Sequence, residues 1–375
     1  KPVWLIGERR GNSAQDTGWQ FYRYLREKRP DIDAYFVTKR ENLSVLPPDD
    51  HIVPYASFAS LRLLLVAEAV VYSDGCRDIT PYWNRVRDDV GRHAVGCFLQ
   101  HGVIGLNSMR GYYTRPAMDS RSELVDVFVV SSNREAELVH RKLMHPRQTI
   151  AVTGLSRFDR LSIDVTPERQ VLIIPTWRSW LRSSNPTEVV SSAYFRRYSH
   201  LLQSPELAAM AAEFQVQFVF CPHFVAAKHF HQLREQPGAV RLIDPSTENV
   251  QDLIQTSMAA VTDYSSVAFD FAYLRRPVCF YMFDRDRWTV ATGNLGLDLE
   301  RDLFGDISFT QEQLLASLRN VLQRGGTLTP EQADRADSFF AFRDQHHSAR
   351  ICAAISSAVE ARRLAIPPSA SGSGQ

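Results

Sequence analysis

The sequence predicts an α/β protein built as two Rossmann-like domains facing each other across a cleft, with a helical C-terminal segment. Three observations predict it. Short apolar runs of strand length alternate with stretches of helical periodicity. The alternation breaks once, at the polar stretch Arg157–Arg169, and then restarts. The 375 residues, 44% of them hydrophobic, are enough for two cores. Strands that alternate with helices imply parallel sheets covered on both faces.

Taken in order, Val3–Ile6 reads as a strand, Gly7–Ala14 as a loop and Asp16–Lys28 as a helix. Ala34–Val37, Ala69–Tyr72, Val95–Leu99, Val127–Val130 and Thr149–Val152 are further strands, with an amphipathic helix over Ser132–Met144. Beyond the break, strands fall at Val171–Ile174, Gln217–Cys221, Val240–Ile243, Ala259–Thr262 and Val278–Tyr281. Helices lie between them, over Glu188–Leu202, Glu206–Phe214, Ala226–Glu235 and Asn249–Thr256. Gln311–Ala365 has helical periodicity and no strand, and Pro367–Gln375 (PPSASGSGQ) has a low-complexity composition that favours disorder. The expected division is therefore residues 1–160 and 161–310 for the two domains, helices over 311–365 packing on them, and a disordered tail over 366–375.

Composition excludes several classes. With 43 basic against 42 acidic residues and a formal net charge of +1, the chain does not bind nucleic acid through bulk charge. The five cysteines are scattered, without CxxC or Cys/His zinc spacing. Cys97, Cys221 and Cys279 lie in apolar runs and read as buried thiols of a reducing compartment. The most apolar run, Leu63–Val71, is short and broken by Glu68, so neither a signal peptide nor a membrane span is visible. A start at Lys1, almost directly on a strand and without Met, is what one domain cut from a longer protein would show.

In open parallel sheets, ligands sit beyond the carboxyl ends of the strands. Those ends carry Gly7–Ala14, Gln100-His101-Gly102, Pro175-Thr176-Trp177-Arg178, Pro222-His223, Asp244 and Asp263-Tyr264-Ser265-Ser266. The Gly7–Ala14 loop (GERRGNSA) matches neither a Walker A nor a GxGxxG pattern. The last segment opens a helix marked by Val267, Phe271 and Leu274 and stopped by Arg275-Arg276-Pro277. Unpaired N–H groups and two hydroxyls suit that turn to a phosphate, while Ser265 and Ser266 also read as plain helix caps. A lone histidine is more often structural than catalytic. Together these residues describe a site for an anionic ligand with a titratable group beside it.

QHGVIGL at Gln100–Leu106, TGLSRFD at Thr153–Asp159, IPTWR at Ile174–Arg178, CPHF at Cys221–Phe224 and TDYSSVAFDFAYLRRPVCFY at Thr262–Tyr281 resemble the CDP-glycerol glycerophosphotransferase family, which includes teichoic-acid primases and polymerases. The resemblance covers about Val3–Asp286 in order and spacing. It implies a GT-B fold and transfer of a polyol phosphate from CDP-glycerol or CDP-ribitol, without a metal or other cofactor. The acceptor would be a hydroxyl of a glycan or of a lipid-linked or polymeric chain, in teichoic-acid-like or capsular polymer synthesis. The implied location is the cytoplasmic face of the cell membrane, with peripheral contact to it.

The same resemblance assigns roles by position. His101 would be the first-domain base and His223 the second-domain histidine at the donor phosphates. Thr262, Asp263, Ser265 and Ser266 would form the phosphate-binding turn, and Arg178 would be the basic residue after Pro-Thr-Trp. Two departures stand out: Ser156-Arg157-Phe158-Asp159 keeps the family's arginine and aspartate but lacks its proline, and Thr289–Asp298 replaces an Arg-Gly-Phe-Tyr stretch. The second region borders the polyol or the acceptor.

Other clusters have bland explanations beside the sharp ones. Asp284-Arg285-Asp286 has the form of a metal-binding Asp-x-Asp and otherwise reads as a solvated loop. His229-Phe230-His231 lies within a predicted helix, where positions two apart do not share a face. The basic stretch from His140 to Arg147 complements a helix C-terminus or meets an acidic or lipid-phosphate surface. Two alternatives to the transferase stay open: a GT-B glycosyltransferase or related epimerase using a UDP- or GDP-sugar, and a non-catalytic polymer-binding domain.

Overall fold

The computed structural model describes residues 1–106, 110–182, 184–230, 240–245, 247–293 and 297–365. The chain forms two compact units. The first comprises Lys1–His101, Gly111–Arg160 and the stretch from Ala341 onward; the second comprises Gly102–Arg110 and Leu161–Phe340.

The first unit is a seven-stranded, all-parallel sheet of β1 (Val3–Gly7), β2 (Asp33–Thr38), β3 (Ile52–Pro54), β4 (Ala69–Tyr72), β5 (Val95–Phe98), β6 (Val127–Val130) and β7 (Ile150–Val152), in the order β3-β2-β1-β4-β5-β6-β7. Strands β4, β5 and β6 are buried at every position, as expected of strands covered on both faces. Helices α1 (Thr17–Lys28) and α2 (Asn133–Leu143) cover it, and α2 is capped by Ser132, whose hydroxyl accepts from Glu135 N.

The second unit repeats the plan with six parallel strands: β8 (Glu168–Ile173), β9 (Gln217–Phe220), β10 (Val240–Leu242), β11 (Ser257–Thr262), β12 (Val278–Tyr281) and β13 (Asp306–Ser308), in the order β10-β9-β8-β11-β12-β13. The short helix α3 (Val267–Tyr273) follows β11, and α4 (Gln311–Gln323) packs on β12 and β13. In both sheets the order reverses beside the first strand of the run. This puts a switch point between β1 and β4 and another between β8 and β11, where crevices open at the strand ends.

Several expectations are refined. The edge strands β3 and β13, three residues each and only partly buried, carry too little apolar pattern to be read from sequence. The helix expected over Glu188–Leu202 is two helices, Pro186–Val190 and Ala193–Leu202, because Ser192 leaves helical geometry and caps the second. The C-terminal helical segment divides between the units. Gln311–Gln323 and Pro330–Asp337 belong to the second, whereas α5 (His347–Ala365) lies on the first, where Arg29 donates to Cys352 Sγ (2.7 Å) and Arg362 to Asp126 (2.6 Å). All five cysteines are free and buried. Residues 366–375, His231 and the remainder of the helix expected to Glu235 lie outside the described residues.

Candidate active site

In the first unit the site grows from the switch point. The loop after β1 is organised by Glu8, whose buried carboxylate accepts from Ser13 Oγ, Gln15 N, Asp16 N and Trp19 N. Burial, and then the neighbouring Asp16, push Glu8 up to about 7. Beyond β4, the Asp78 carboxylate accepts from Ser73 N, Asp74 N and Arg10 N. Beyond β5, Gln100 takes a left-handed backbone (φ 61), and its carbonyl accepts from Thr17 Oγ1 at 2.6 Å.

His101 follows, with a side chain one-third exposed and Nδ1 3.0 Å from Asp74 Oδ1. Burial disfavours a charged imidazole, but Asp74 more than offsets it, and His101 holds its proton above the ordinary histidine range. Tyr113 Oη lies 3.2 Å from the same nitrogen. The His101 carbonyl accepts from Arg157 Nη1 at 2.6 Å. Asp74 was not among the residues singled out from sequence. The strand-end rule, applied to Ala69–Tyr72, would have picked out Ser73-Asp74.

The second unit is organised around Arg178, which is fully buried. It donates to Asp263 (2.7 Å) and, through two nitrogens, to Asp284 (2.7 and 3.1 Å). Four rings surround it: Tyr194, Tyr264, Phe283 and Trp288, with centroids 5.1–5.5 Å from the guanidinium carbon. Burial works against the charge, yet Asp263 and Asp284 outweigh it and raise the proton affinity of Arg178 further. Asp263 also accepts from Thr176 N, Tyr264 N and Tyr198 Oη. Thr262 is buried too, its hydroxyl donating to Ile174 O at 2.6 Å.

Arg178, Thr262 and Asp263 therefore fasten the ends of β8 and β11 to each other. Their polar atoms serve protein partners, which is the chemistry of a brace. Asp284, read from sequence as a solvated loop or a metal signature, is neither: its carboxylate is the bidentate partner of Arg178.

Ser265, Ser266 and His223 are half-buried at these strand ends. Ser265 Oγ accepts from Val267 N at 3.3 Å, whereas Ser266, at the N-cap position of α3, makes no capping bond through its side chain. The hydroxyl of Ser266 is thus not consumed by the capping role that sequence left open. His223 Nδ1 accepts from Val225 N at 3.3 Å, a bond that puts the proton of the neutral ring on Nε2. Among the described residues, the cluster with metal-ligand geometry is Asp49, Asp50 and His51. It stands at the amino end of β3, whereas His101 lies beyond the carboxyl end of β5, at the opposite end of the parallel strands.

A family model described as CDP-Glycerol:Poly(glycerophosphate) glycerophosphotransferase matches residues 1–357. The chain belongs to this family. Among relatives of the glycerophosphotransferase family, a teichoic acid glycerol-phosphate transferase from Staphylococcus aureus is 33% identical, covering 92% of this chain and 90% of its own. The minor teichoic acid biosynthesis protein GgaB of Bacillus subtilis is 26% identical over 95% of this chain, which spans 40% of GgaB's length. In solved structures, the wall teichoic acid polymerase TagF superposes with a TM-score of 0.72 at 18% identity, over 96% of this chain and 90% of that one. A UDP-N-acetylglucosamine 2-epimerase reaches 0.54 at 14% identity, over 94% of each chain. These likenesses establish the GT-B type of fold expected for the glycerophosphotransferase family.

Proposed function

We propose that this chain transfers glycerol phosphate from CDP-glycerol to a hydroxyl of a glycan or lipid-linked polymer acceptor, in teichoic-acid-like polymer synthesis. The observation that carries the reading is the family match along residues 1–357, which includes every strand-end residue singled out from sequence. The S. aureus relative named as a glycerol-phosphate transferase supports the same donor. In this reaction the acceptor oxygen attacks the phosphorus that bears glycerol. The phosphoanhydride bond to CMP breaks, CMP leaves with the electron pair, and the acceptor proton passes to a base. Little covalent work falls to the protein, so positioning and charge stabilisation dominate.

His101 is assigned as the base, through Nε2. His223 Nε2–H and the hydroxyls of Ser265 and Ser266 are assigned to the donor phosphates, with Arg178, Thr262 and Asp263 holding the turn that presents them. No metal takes part in this assignment. The acceptor places the reaction at the cytoplasmic face of the membrane, reached peripherally. Among the described residues no helix is long and apolar enough to cross it.

The test is CMP release from CDP-glycerol with a polyol-phosphate acceptor, and its insensitivity to EDTA. His101→Ala should lower the rate by roughly 10²–10⁴ with donor affinity retained. His223→Ala and Ser266→Ala should weaken donor binding measured by calorimetry. Thermal stabilisation by a UDP-sugar with none by CDP-glycerol would overturn the reading.

A further inference from the structure

We propose that Asp74 is the positioning residue of the base: its carboxylate accepts a hydrogen bond from Nδ1–H of His101, fixing the ring so that Nε2 is the basic nitrogen. The proposal rests on the assignment of His101 as base and adds a residue that neither the sequence motifs nor the family likeness singles out.

Three observations converge on it. The first is register. β4 and β5 are parallel neighbours with Tyr72 beside Phe98, and the bond from Leu99 N to Tyr72 O carries the pairing past the strand ends. Asp74 and His101 therefore emerge side by side at the switch point of the sheet, Nδ1 to Oδ1 at 3.0 Å. The second is that both partners are held from behind. The backbone at Ser73 and Asp74 is fastened to the buried Asp78 carboxylate. On the other side, Gln100 is kept in its left-handed conformation by Thr17 on its carbonyl and by side-chain bonds to Val129 O and Glu135. Arg157 then fixes the His101 carbonyl. A left-handed non-glycine residue immediately before the histidine costs conformational energy and persists where its surroundings over-determine it. The third is the state of the two ring nitrogens. Nδ1 is engaged by Asp74 and Tyr113, whereas Nε2 has no hydrogen-bond partner among the described residues, on a side chain one-third exposed.

A neutral imidazole bonded through Nδ1–H to a carboxylate offers its lone pair at Nε2, and the carboxylate stabilises the cation that forms when Nε2 accepts a proton. The charged and titratable groups around the ring are Asp74 at the end of β4, Asp16 and Arg9 from the loop after β1, Tyr113, and Arg157 on the carbonyl side. Asp16 acts with Asp74 and Arg9 against it. Asp78 faces Asp74 from behind. Of these, Asp74 is the carboxylate bonded to the ring.

The experiment compares wild type, Asp74→Asn and Asp74→Glu in two readouts: the titration of His101 by NMR in the absence of substrate, and the pH profile of kcat/KM for CMP release. Asp74→Asn should move the His101 titration and the acid limb of the profile to lower pH by the same amount. It should lower kcat by roughly 10- to 100-fold with the KM for CDP-glycerol within about twofold of wild type. Asp74→Glu should restore part of both shifts. An unchanged His101 titration in Asp74→Asn would overturn the pairing itself. A titration that moves while the acid limb stays put would instead overturn His101 as the base, and with it the positioning role of Asp74.

Discussion

Arg178 is a fully buried cation whose stability depends on how completely it is paired. Two carboxylates and four aromatic faces surround it, and Asp263 in turn collects two backbone N–H groups and a tyrosine hydroxyl. Removing one partner of such a set leaves desolvated charge behind, at a cost of about 3–5 kcal/mol. We therefore expect Arg178→Leu to lower the stability of the second unit by about that amount in urea denaturation. Arg178→Lys should recover less than half, because an ammonium cannot span Asp284 with two parallel bonds. A loss below about 1 kcal/mol for Arg178→Leu would mean the network contributes little. Sequence showed this arginine as one of the strand-end polar residues but gave its role to the ligand. The reason is physical: a strand-end position says where a side chain starts, while its partner Asp284 lies 106 residues away and is brought in by the sheet order. His101 was legible as a strand-end histidine. Asp74 was passed over because a single aspartate after a short strand carries no motif.

The single turn Ser156–Arg160 does for the first unit what Arg178 does for the second. Ser156 Oγ donates to Thr17 O (2.6 Å), Arg157 holds the His101 carbonyl, and the Asp159 carboxylate accepts from His347 N and Ser348 N, both at 2.8 Å. Asp159 thus caps α5 from outside its own segment, supplying acceptors to two of the N–H groups that a helix start leaves unpaired. Gly154 just before the turn has φ +78, and a Cβ there would lie 1.9 Å from His347 Nδ1, so the Thr-Gly step lets α5 seat. The motif visible in the sequence as Thr-Gly-x-Ser-Arg-x-Asp is thereby accounted for element by element, and the proline it lacks is not needed for any of these bonds. Asp159→Ala should lower the unfolding free energy of the first unit by about 1–2 kcal/mol, with Asp159→Asn losing less. Hydrogen exchange in the first turn of α5 would report it. Equal protection in wild type and Asp159→Ala would rule the cap out. What the helical periodicity of Gln311–Ala365 could not show is which sheet each helix joins, since an apolar face fits any apolar face.

At the scale of the whole chain, the strand–helix alternation carried the fold. The two parallel sheets follow from it, whereas the short edge strands and the division of the C-terminal helices are set by tertiary packing that no local pattern encodes. The first unit also carries a pH-dependent term in its stability. It buries Glu8 and Asp78, pushed up to about 7 and about 6, chiefly by desolvation. In the unfolded chain these acids ionise near their ordinary values of 4.5 and 3.8. Between those values and the raised ones, the folded state holds more protons than the unfolded state. Unfolding free energy therefore falls as pH rises, with each contribution fully present below the unfolded pKa and lost as pH passes the folded one. His101, raised by Asp74, acts in the same sense. His145 and His347, which burial keeps from charging, act in the opposite one. The term belonging to Glu8 is isolated by comparison with Glu8→Gln. That variant should be less stable than wild type at pH 5.5, because the amide nitrogen faces Trp19 N where the carboxyl accepted a bond. The deficit should shrink by about 2 kcal/mol on going to pH 8, as wild type takes on the burden of an ionised, buried carboxylate beside Asp16. Urea midpoints of the first unit at the two pH values measure it. Parallel pH dependence in the two proteins would show that Glu8 ionises as easily folded as unfolded.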